Sequence, residues 1–249
     1  MILALVALLQ GPAPVDTLPH WRADLSYAVD HHTRDRSDWT FGRAAFGHRR
    51  GTTVALADLW TAERFDTRDQ GGGLELYLRP SPRTGLYLRG DLAPDARVLP
   101  TGGAIVSVTR GLRGGWEGTA HYRRMEYRDA GFDLYGAGVG RYQGRWYLRA
   151  DATVIPHEGT TGATVGVAAR RYGRSGDLDD LVELRLDAGR EVVLLGAATP
   201  PTLRRTAAVA LWGQRVLGRG WGIRGTLGWT TEADTPARTS LGLGLFTRW

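Results

Sequence analysis

The sequence predicts an all-β fold, namely a single closed antiparallel transmembrane β-barrel of about 14 strands with a polar lumen. Apolar and polar residues alternate with period two in segments of about 9 to 13 residues, the length at which a tilted strand crosses a bilayer. There are fourteen such segments, and bacterial single-chain barrels have an even number of strands. Beyond residue 19 we find no apolar stretch of the roughly 18 residues that a spanning helix needs.

The composition narrows the chemistry that the chain can carry. Its 249 residues include 35 glycines and 9 tryptophans but no cysteine, which excludes disulfides, zinc–thiolate sites and cysteine nucleophiles. There is no lysine, and the formal net charge is +6. A positive charge permits an acidic partner without selecting one. Because no helix or single-strand platform accompanies the charge, nucleic acid is not predicted as that partner.

The N-terminal segment, residues 1–18, is predicted to be a secretory signal peptide. The apolar run "ILALVALL" is too short to span a bilayer and is followed by "QGPAP", as expected of a signal sequence. Residues 19–249 then form the outer-membrane β-barrel domain. A first core strand in place of the signal peptide is the alternative.

The clearest strand is "RWYLRADATVI" at 145–155. Trp146 and Val154 share one face of this strand, whereas Arg149 and Asp151 share the other. A soluble sandwich would bury the apolar face, while a transmembrane barrel turns it outward into lipid. The candidate strands in chain order are 21–30, 38–48, 52–65, 72–79, 84–92, 102–110, 115–127, 131–142, 145–155, 160–172, 178–189, 203–216, 219–231 and 238–249.

The connections between these strands alternate in length. Tight turns are predicted at 49–51, 80–83, 111–114, 143–144, 172–177 and 217–220. Longer connections are predicted between them, at 31–38, 91–102, 190–203 and 232–239. Short turns on one side of the membrane and longer loops on the other are the outer-membrane pattern. We therefore expect the protein in the cell outer membrane, in contact with membrane lipid and lipopolysaccharide, with its C-terminal strand recognised by the outer-membrane assembly machinery.

Closure of the sheet accounts for the C-terminal stretch "LGLGLFTRW". An unpaired backbone group in hydrocarbon costs several kcal/mol, so the last strand is expected to pair with the first, with Leu241, Leu243 and Leu245 toward lipid. Tryptophans are favoured at both membrane interfaces, although aromatic residues also fill the cores of soluble barrels. The predicted interface aromatics are Trp21, Trp39, Trp116, Trp146, Trp221, Trp229 and Trp249.

The opposite parity of the same strands collects polar residues of both charge signs and predicts the lumen lining. Two interpretations stay open. In the first, arginine rows facing carboxylates create a transverse field and hold an anionic or hydroxylated solute by forked hydrogen bonds. In the second, charges on neighbouring strands pair and brace the wall. The predicted lumen residues are Glu75, Tyr77, Arg79, Arg89, Asp91, Glu117, His121, Arg123, Arg145, Tyr147, Arg149, Asp151, Glu183, Arg185, Asp187 and Arg224.

A lipid acylhydrolase that uses Ser107 and His121 is the alternative function. A hairpin turning about residue 113 would place Ser107 opposite Thr119, with His121 diagonal to it. Both side chains would point into the lumen, whereas a lipid-cleaving site must open to the bilayer, and no third group orients the imidazole. We therefore predict no catalytic residues. The isolated histidines and the glycine-rich stretches predict neither a metal nor another cofactor.

Several stretches that cover about half of the chain carry a family resemblance. They are "GGGLELYLRPSPRTGLYLRGDLAPDARVLPTGG" (71–103), "GWEGTAHYRRMEY" (115–127), "GRYQGRWYLR" (140–149), "GVAARRYG" (166–173) and "LDAGREV" (186–192). These stretches resemble the YaiO-type outer-membrane β-barrel family. The resemblance implies an outer-membrane location, proximity to cell-surface polysaccharide machinery and no established reaction.

The predicted function is therefore porin-like and non-enzymatic. It is the passage or surface handling of a polar solute, a saccharide being one candidate, with a link to polysaccharide export. A purely structural barrel stays open as a further alternative.

Overall fold

The fold is described by a computed structural model for residues 20–33, 37–157, 160–173, 179–193, 202–218, 220–233 and 237–249. The predicted signal peptide, residues 1–18, lies outside the described residues. Along the described chain run fourteen strands. They are β1 (Trp21–His32), β2 (Trp39–Arg50), β3 (Thr53–Arg64), β4 (Thr67–Ser81), β5 (Thr84–Leu92), β6 (Gly102–Gly111), β7 (Trp116–Glu126), β8 (Gly131–Gln143), β9 (Trp146–His157), β10 (Thr160–Tyr172), β11 (Leu181–Val193), β12 (Thr202–Gly218), β13 (Trp221–Glu232) and β14 (Arg238–Arg248).

The strands form one closed antiparallel barrel. Each strand pairs with its neighbours in sequence, and β14 returns to pair with β1, beginning with Arg22 opposite Arg248. Closure removes the sheet edges that hydrocarbon forbids. The predicted strand number and closure are confirmed. The largest differences in position are at β4, which begins at Thr67 instead of 72, and at β11, which ends at Val193 instead of 189.

The two faces of the barrel wall differ in polarity as a membrane requires. On β4, Leu74 is 69% exposed whereas the adjacent Glu75 is 2% exposed. On β14, Leu241, Leu243 and Leu245 are all exposed. Because the exposure of leucine is unfavourable in water and favourable in lipid, this alternation identifies the apolar outer face as the lipid-facing one. Among the described residues no helix is long and apolar enough to cross a membrane.

The connections define two ends of the barrel. We call the end that holds the start of β1 and the end of β14 the terminal end, and the opposite one the loop end. Four of the six connections at the terminal end have two residues, as predicted. The β10–β11 connection at this end is longer, 173–180. At the loop end two connections have only two residues, namely β3–β4, with Phe65 and Asp66 both at positive φ, and β9–β10, which is 158–159. The predicted alternation of lengths therefore holds for most connections and fails at these three.

At the loop end the β11–β12 hairpin leaves the wall and bends over the lumen. Gly189 has a φ of 151°, and beyond it β11 continues to pair with β12 but not with β10. A side chain at this position would collide with the carbonyl oxygen of Ala163, so the bend requires glycine. Val192 and Leu203 of the bent hairpin pack against an apolar cluster on the inner face, made of Met125, Phe132 and Ile155.

The connection 93–101, between β5 and β6, also lies against the inner wall at the loop end. The carboxylate of Asp69 accepts hydrogen bonds from the backbone N–H groups of Arg97, Val98 and Leu99, at 2.7 to 2.9 Å. Ala93 in the same connection is 1% exposed. Asp69 thus holds the connection in place through charge-assisted bonds to the main chain, and the lumen is narrowed at this end.

Candidate lumen site

One side of the lumen, formed by β2–β5, carries a continuous network of ion pairs. We call it the paired wall, and its members are Arg43, Asp58, Glu75, Arg89 and Asp91. Nη2 of Arg43 lies 2.8 Å from both Asp58 Oδ2 and Glu75 Oε1. Arg89 also contacts Glu75, and its Nε donates to Asp91 Oδ1 at 2.9 Å. The side chains of Asp58 and Glu75 are fully buried, so both carboxylates depend on these guanidinium groups.

The paired wall follows from the pleat of the sheet. Glu75 on β4 lies directly opposite Arg89 on β5, and side chains of opposite residues point to the same face. Asp58 on β3 is opposite Ala45, two residues from Arg43 on β2. This diagonal offset is within reach of a long arginine side chain.

A second network of ion pairs and hydrogen bonds crosses β9–β12. Arg185 on β11 reaches over β10 to Asp151 on β9, with an Nη2–Oδ2 distance of 2.9 Å. Glu183 accepts hydrogen bonds from Arg170 Nε at 2.7 Å and from Trp212 Nε1 at 2.9 Å. A side chain that reaches over an intervening strand must lie on the concave face of the wall. The contacts therefore identify this polar face as the inner one.

Asp179 draws together distant strands at the terminal end. Its Oδ1 accepts hydrogen bonds from Arg22 Nη1 at 2.8 Å and Gln214 Nε2 at 2.9 Å, and its Oδ2 accepts one from Arg248 Nη1 at 2.7 Å. Asp179 lies just before β11, while its two arginine partners lie on β1 and β14. These contacts consequently run across the inner side of three strands and narrow the mouth of the lumen.

A third part of the inner face, on β6 and β7, makes no ion pair with any residue that the structure describes. We call it the unpaired patch, and its members are Ser107, His121 and Arg123. The guanidinium group of Arg123 makes no hydrogen bond or ion pair with another described residue. Its charge thus faces the lumen with no described carboxylate within ion-pair distance, whereas the arginines of the paired wall are all engaged.

The register of the β6–β7 hairpin differs from the predicted one by two residues. Ser107 lies directly opposite His121, and it is Thr109 that lies opposite Thr119, with 3.1 Å between the two hydroxyl oxygens. The connection includes a short 3-10 turn at Arg113–Gly115, which moves the centre of the hairpin by one residue and hence each partner by two.

The side chain of His121 turns away from Ser107. Its ring covers Gly136 on β8, where a Cβ atom would collide with the imidazole, and its Nε2 lies 3.3 Å from Thr153 Oγ1 on β9. Ser107 is on β6, on the other side of β7. Glu117, the inward-facing carboxylate of β7, accepts a hydrogen bond from the Tyr147 hydroxyl. Direct opposition in the register therefore does not bring the serine and histidine into the arrangement that a nucleophile and its base require.

The comparison with known proteins identifies the family. The sequence matches the YaiO membrane β-barrel domain over residues 21–192, which is more than half of the chain. This chain belongs to the YaiO membrane β-barrel family. The resemblance expected from the sequence is thereby confirmed. No curated protein matches the sequence.

Solved outer-membrane proteins share the fold of this YaiO-family barrel at low sequence identity. The CymD monoaromatic hydrocarbon channel has a TM-score of 0.64 and 8% identity, with 94% of this chain and 90% of that chain covered. A bacterial polysaccharide outer membrane secretin has a TM-score of 0.55 and 9% identity, with coverage of 94% and 100%. Pseudomonas aeruginosa OpdO has 0.52 and 9%, with coverage of 93% and 96%. The YaiO-family barrel is thus an outer-membrane protein whose fold is similar to that of an outer-membrane channel.

Two predicted site residues of the YaiO-family barrel do not lie where the sequence analysis places them. Arg145 is in the two-residue β8–β9 turn and its side chain is exposed instead of lining the lumen. Trp39 is 4% exposed and lies opposite Asp30 on the inner face, with its ring edge-on to His32 at a centroid distance of 4.5 Å. The interface prediction for Trp39 is therefore wrong, because the parity of β2 turns this residue inward.

The remaining predicted residues lie on the faces where the parity of their strands puts them. The six other interface tryptophans are between 37% and 57% exposed, on the apolar outer face. The fifteen other lumen residues lie on the polar inner face, and their contact with a solute stays a prediction. Further inner-face residues that the sequence analysis did not select are Arg22, Asp24, Arg43, Asp58, Arg170 and Trp212. The alternation of β1, β2, β3, β10 and β12 already contains the signal for them.

Proposed function

We propose that this YaiO-family barrel is a non-enzymatic channel for a polar solute that carries hydroxyl or anionic groups, an acidic saccharide being the leading candidate. The observation that carries the proposal is the charge of Arg123, which faces the lumen without a described ionic partner. A guanidinium group offers five donors in a fixed fork that suits carboxylate, phosphate and sugar hydroxyl groups. Ser107 and His121 add polar groups beside it.

The polarity of the inner wall supports a polar solute over an apolar one. Networks of arginine and carboxylate cover β2–β5 and β9–β12, and an apolar solute would gain nothing from such a surface. Of the channels with a similar fold, one is named for monoaromatic hydrocarbons and another for polysaccharide. The lining of this lumen resembles what the second class of solute needs. The narrowing at both ends favours a thin, extended solute.

The anion preference of the channel tests this proposal. We expect single channels in planar bilayers, under a salt gradient, to have a reversal potential that shows preference for anions. An R123Q variant removes a unit charge from the lumen. The attraction between that charge and a permeating anion is about 1 kcal/mol, so we expect the anion-to-cation permeability ratio to fall about fivefold.

A matched control for this test is the adjacent residue. Arg124 points to the outer face and pairs with Glu126 at 2.6 Å and with Asp133 at 2.7 Å. An R124Q variant makes the same change of charge outside the lumen, so we expect its reversal potential to equal that of the unaltered protein. Equal shifts in the two variants would contradict a role for Arg123 in permeation.

A purely structural barrel is the second candidate function, and the paired wall favours it. Paired charges brace a polar interior whether or not a solute passes. This candidate predicts no current at any voltage from correctly inserted barrels. Resistance to denaturation by SDS, which a closed sheet shows, would verify that the barrels are intact. A steady current would exclude this candidate.

A further inference from the structure

Charged residues on the outer face are distributed unequally between the two ends of the barrel. At the loop end both signs occur, as in the contacts of Arg124 with Glu126 and Asp133. On the strands at the terminal end, the outward-facing positions of the described chain hold arginine but no aspartate or glutamate. The arginines of this set are Arg50, Arg110, Arg141, Arg171 and Arg215. The strands of the terminal end thus present a belt of positive charge to their surroundings.

Two arginines of this belt border a groove of about 440 Å³ in the outer wall, across β10–β13. Arg171 lies on β10 and Arg215 on β12, and Arg145 of the β8–β9 turn completes the rim. The depression exists because two glycines are adjacent on the outer face, with Gly213 on β12 directly opposite Gly225 on β13. A Cβ atom added at Gly225 would meet no atom within 4 Å, so the space in front of it is open.

The walls of the groove are apolar, and the groove lies at the level of the membrane interface. Val182 and Ile223 line it and are each 43% exposed. The Arg171 guanidinium carbon lies 5.7 Å from the centre of the Trp146 ring, and tryptophan is favoured at the level of the lipid headgroups. The groove therefore combines cations at headgroup depth with an apolar surface that points toward the acyl chains.

We infer that this groove binds one anionic phospholipid, with Arg145, Arg171 and Arg215 around its phosphodiester and an acyl chain along Val182 and Ile223. The rim also includes one carboxylate, that of Asp180, so the three guanidinium groups leave a net charge of two positive. Guanidinium groups bind phosphate oxygens by forked, charge-assisted hydrogen bonds. Shorter turns mark the terminal end as the periplasmic one, which places this lipid in the inner leaflet of the outer membrane.

The test uses the complete barrel in detergent with phosphatidylglycerol as the probe, and bound lipid is counted by native mass spectrometry. We expect one tightly held lipid, with at least tenfold weaker binding in an R171Q/R215Q double variant. A G225L variant keeps all three cations and fills the groove, and we expect the same loss from it. The matched control is R50Q/R110Q, which removes two arginines of the same belt on the other side of the barrel and should leave the tight site unchanged.

The outcomes decide between a built site and diffuse attraction. Equal weakening in both double variants would show that only the overall charge of the belt attracts lipid, and would overturn the inference. Equally tight binding of soluble glycerol phosphate would also overturn it, because the apolar walls would then contribute nothing. Retention of the tight lipid in the G225L variant would contradict the groove as its location. None of these results depends on whether a solute passes through the lumen.

Discussion

The paired wall and the unpaired patch lie on the same polar inner face but treat their charges differently. In the paired wall, Arg43 and Arg89 bridge two carboxylates that are fully buried. In the unpaired patch, Arg123 has no described ionic partner, and the His121 ring contacts Thr153 and covers Gly136. The same residue type therefore has two roles on one surface.

The difference indicates that some polar residues of the lumen stabilise the barrel whereas others are available to a solute. Removing one partner of a buried ion pair leaves an uncompensated charge, which is costly, so the paired wall is tied to the stability of the barrel. An arginine without an ionic partner in the protein contributes little to stability, and its N–H groups are free to donate hydrogen bonds to a solute. We therefore expect stability and permeation to respond to different arginines.

The largest effect is expected from the paired wall. An R89M variant removes one of the two described guanidinium groups that pair with Glu75 and Asp58, and we expect the free energy of unfolding to fall by about 3–5 kcal/mol. The measurement is urea-induced unfolding from lipid bilayers. An R123M variant makes the same substitution in the unpaired patch and should change the free energy of unfolding by less than about 1 kcal/mol. Similar losses in the two variants would remove the distinction between the two regions.

A smaller effect is expected within the unpaired patch. A side chain at Gly136 would collide with the His121 ring, so a G136A variant must displace the imidazole from Thr153. We expect a loss of about 1 kcal/mol, the usual net value of one hydrogen bond.

The same substitution in an H121A background should cost much less, because the ring that obstructs it is gone. This double-mutant cycle measures the coupling between the two positions. As a control, G90A on the outer face of β5 adds a methyl group where no atom lies within 4 Å. An unchanged cost of G136A without the histidine would show that the backbone, and not the ring, opposes the alanine.

The fold could be predicted from the sequence because each strand alternates independently. All fourteen strands were predicted within a few residues, since lipid on one side and a polar lumen on the other impose the period of two on every strand. The register of the β6–β7 hairpin was not predicted, because it depends on the conformation of the turn at Arg113–Gly115. The bend at Gly189 likewise depends on contacts with β10 that no local pattern shows.

The site could be predicted only in part. The alternation along each strand identified Arg89, Arg123 and Arg185 as inner residues, but it does not indicate which of these arginines pairs with a carboxylate. Arg185 pairs with Asp187 on its own strand and also with Asp151, which lies two strands away, and pairing across a strand depends on the curvature of the closed wall. The exceptional inward position of Trp39 was already present in the parity of β2, and was obscured by the general preference of tryptophan for the interface.

Cysteine accessibility at position 123 tests the central claim most directly, because the natural chain has no cysteine. In an R123C variant, a negatively charged, water-soluble thiol reagent should react in the bilayer-inserted barrel and reduce its anion current. In an L243C variant, the same reagent should leave both the thiol and the current unchanged, since Leu243 faces lipid. Reaction at position 243 together with protection at position 123 would contradict the account, because the polar face would then not line a water-filled lumen.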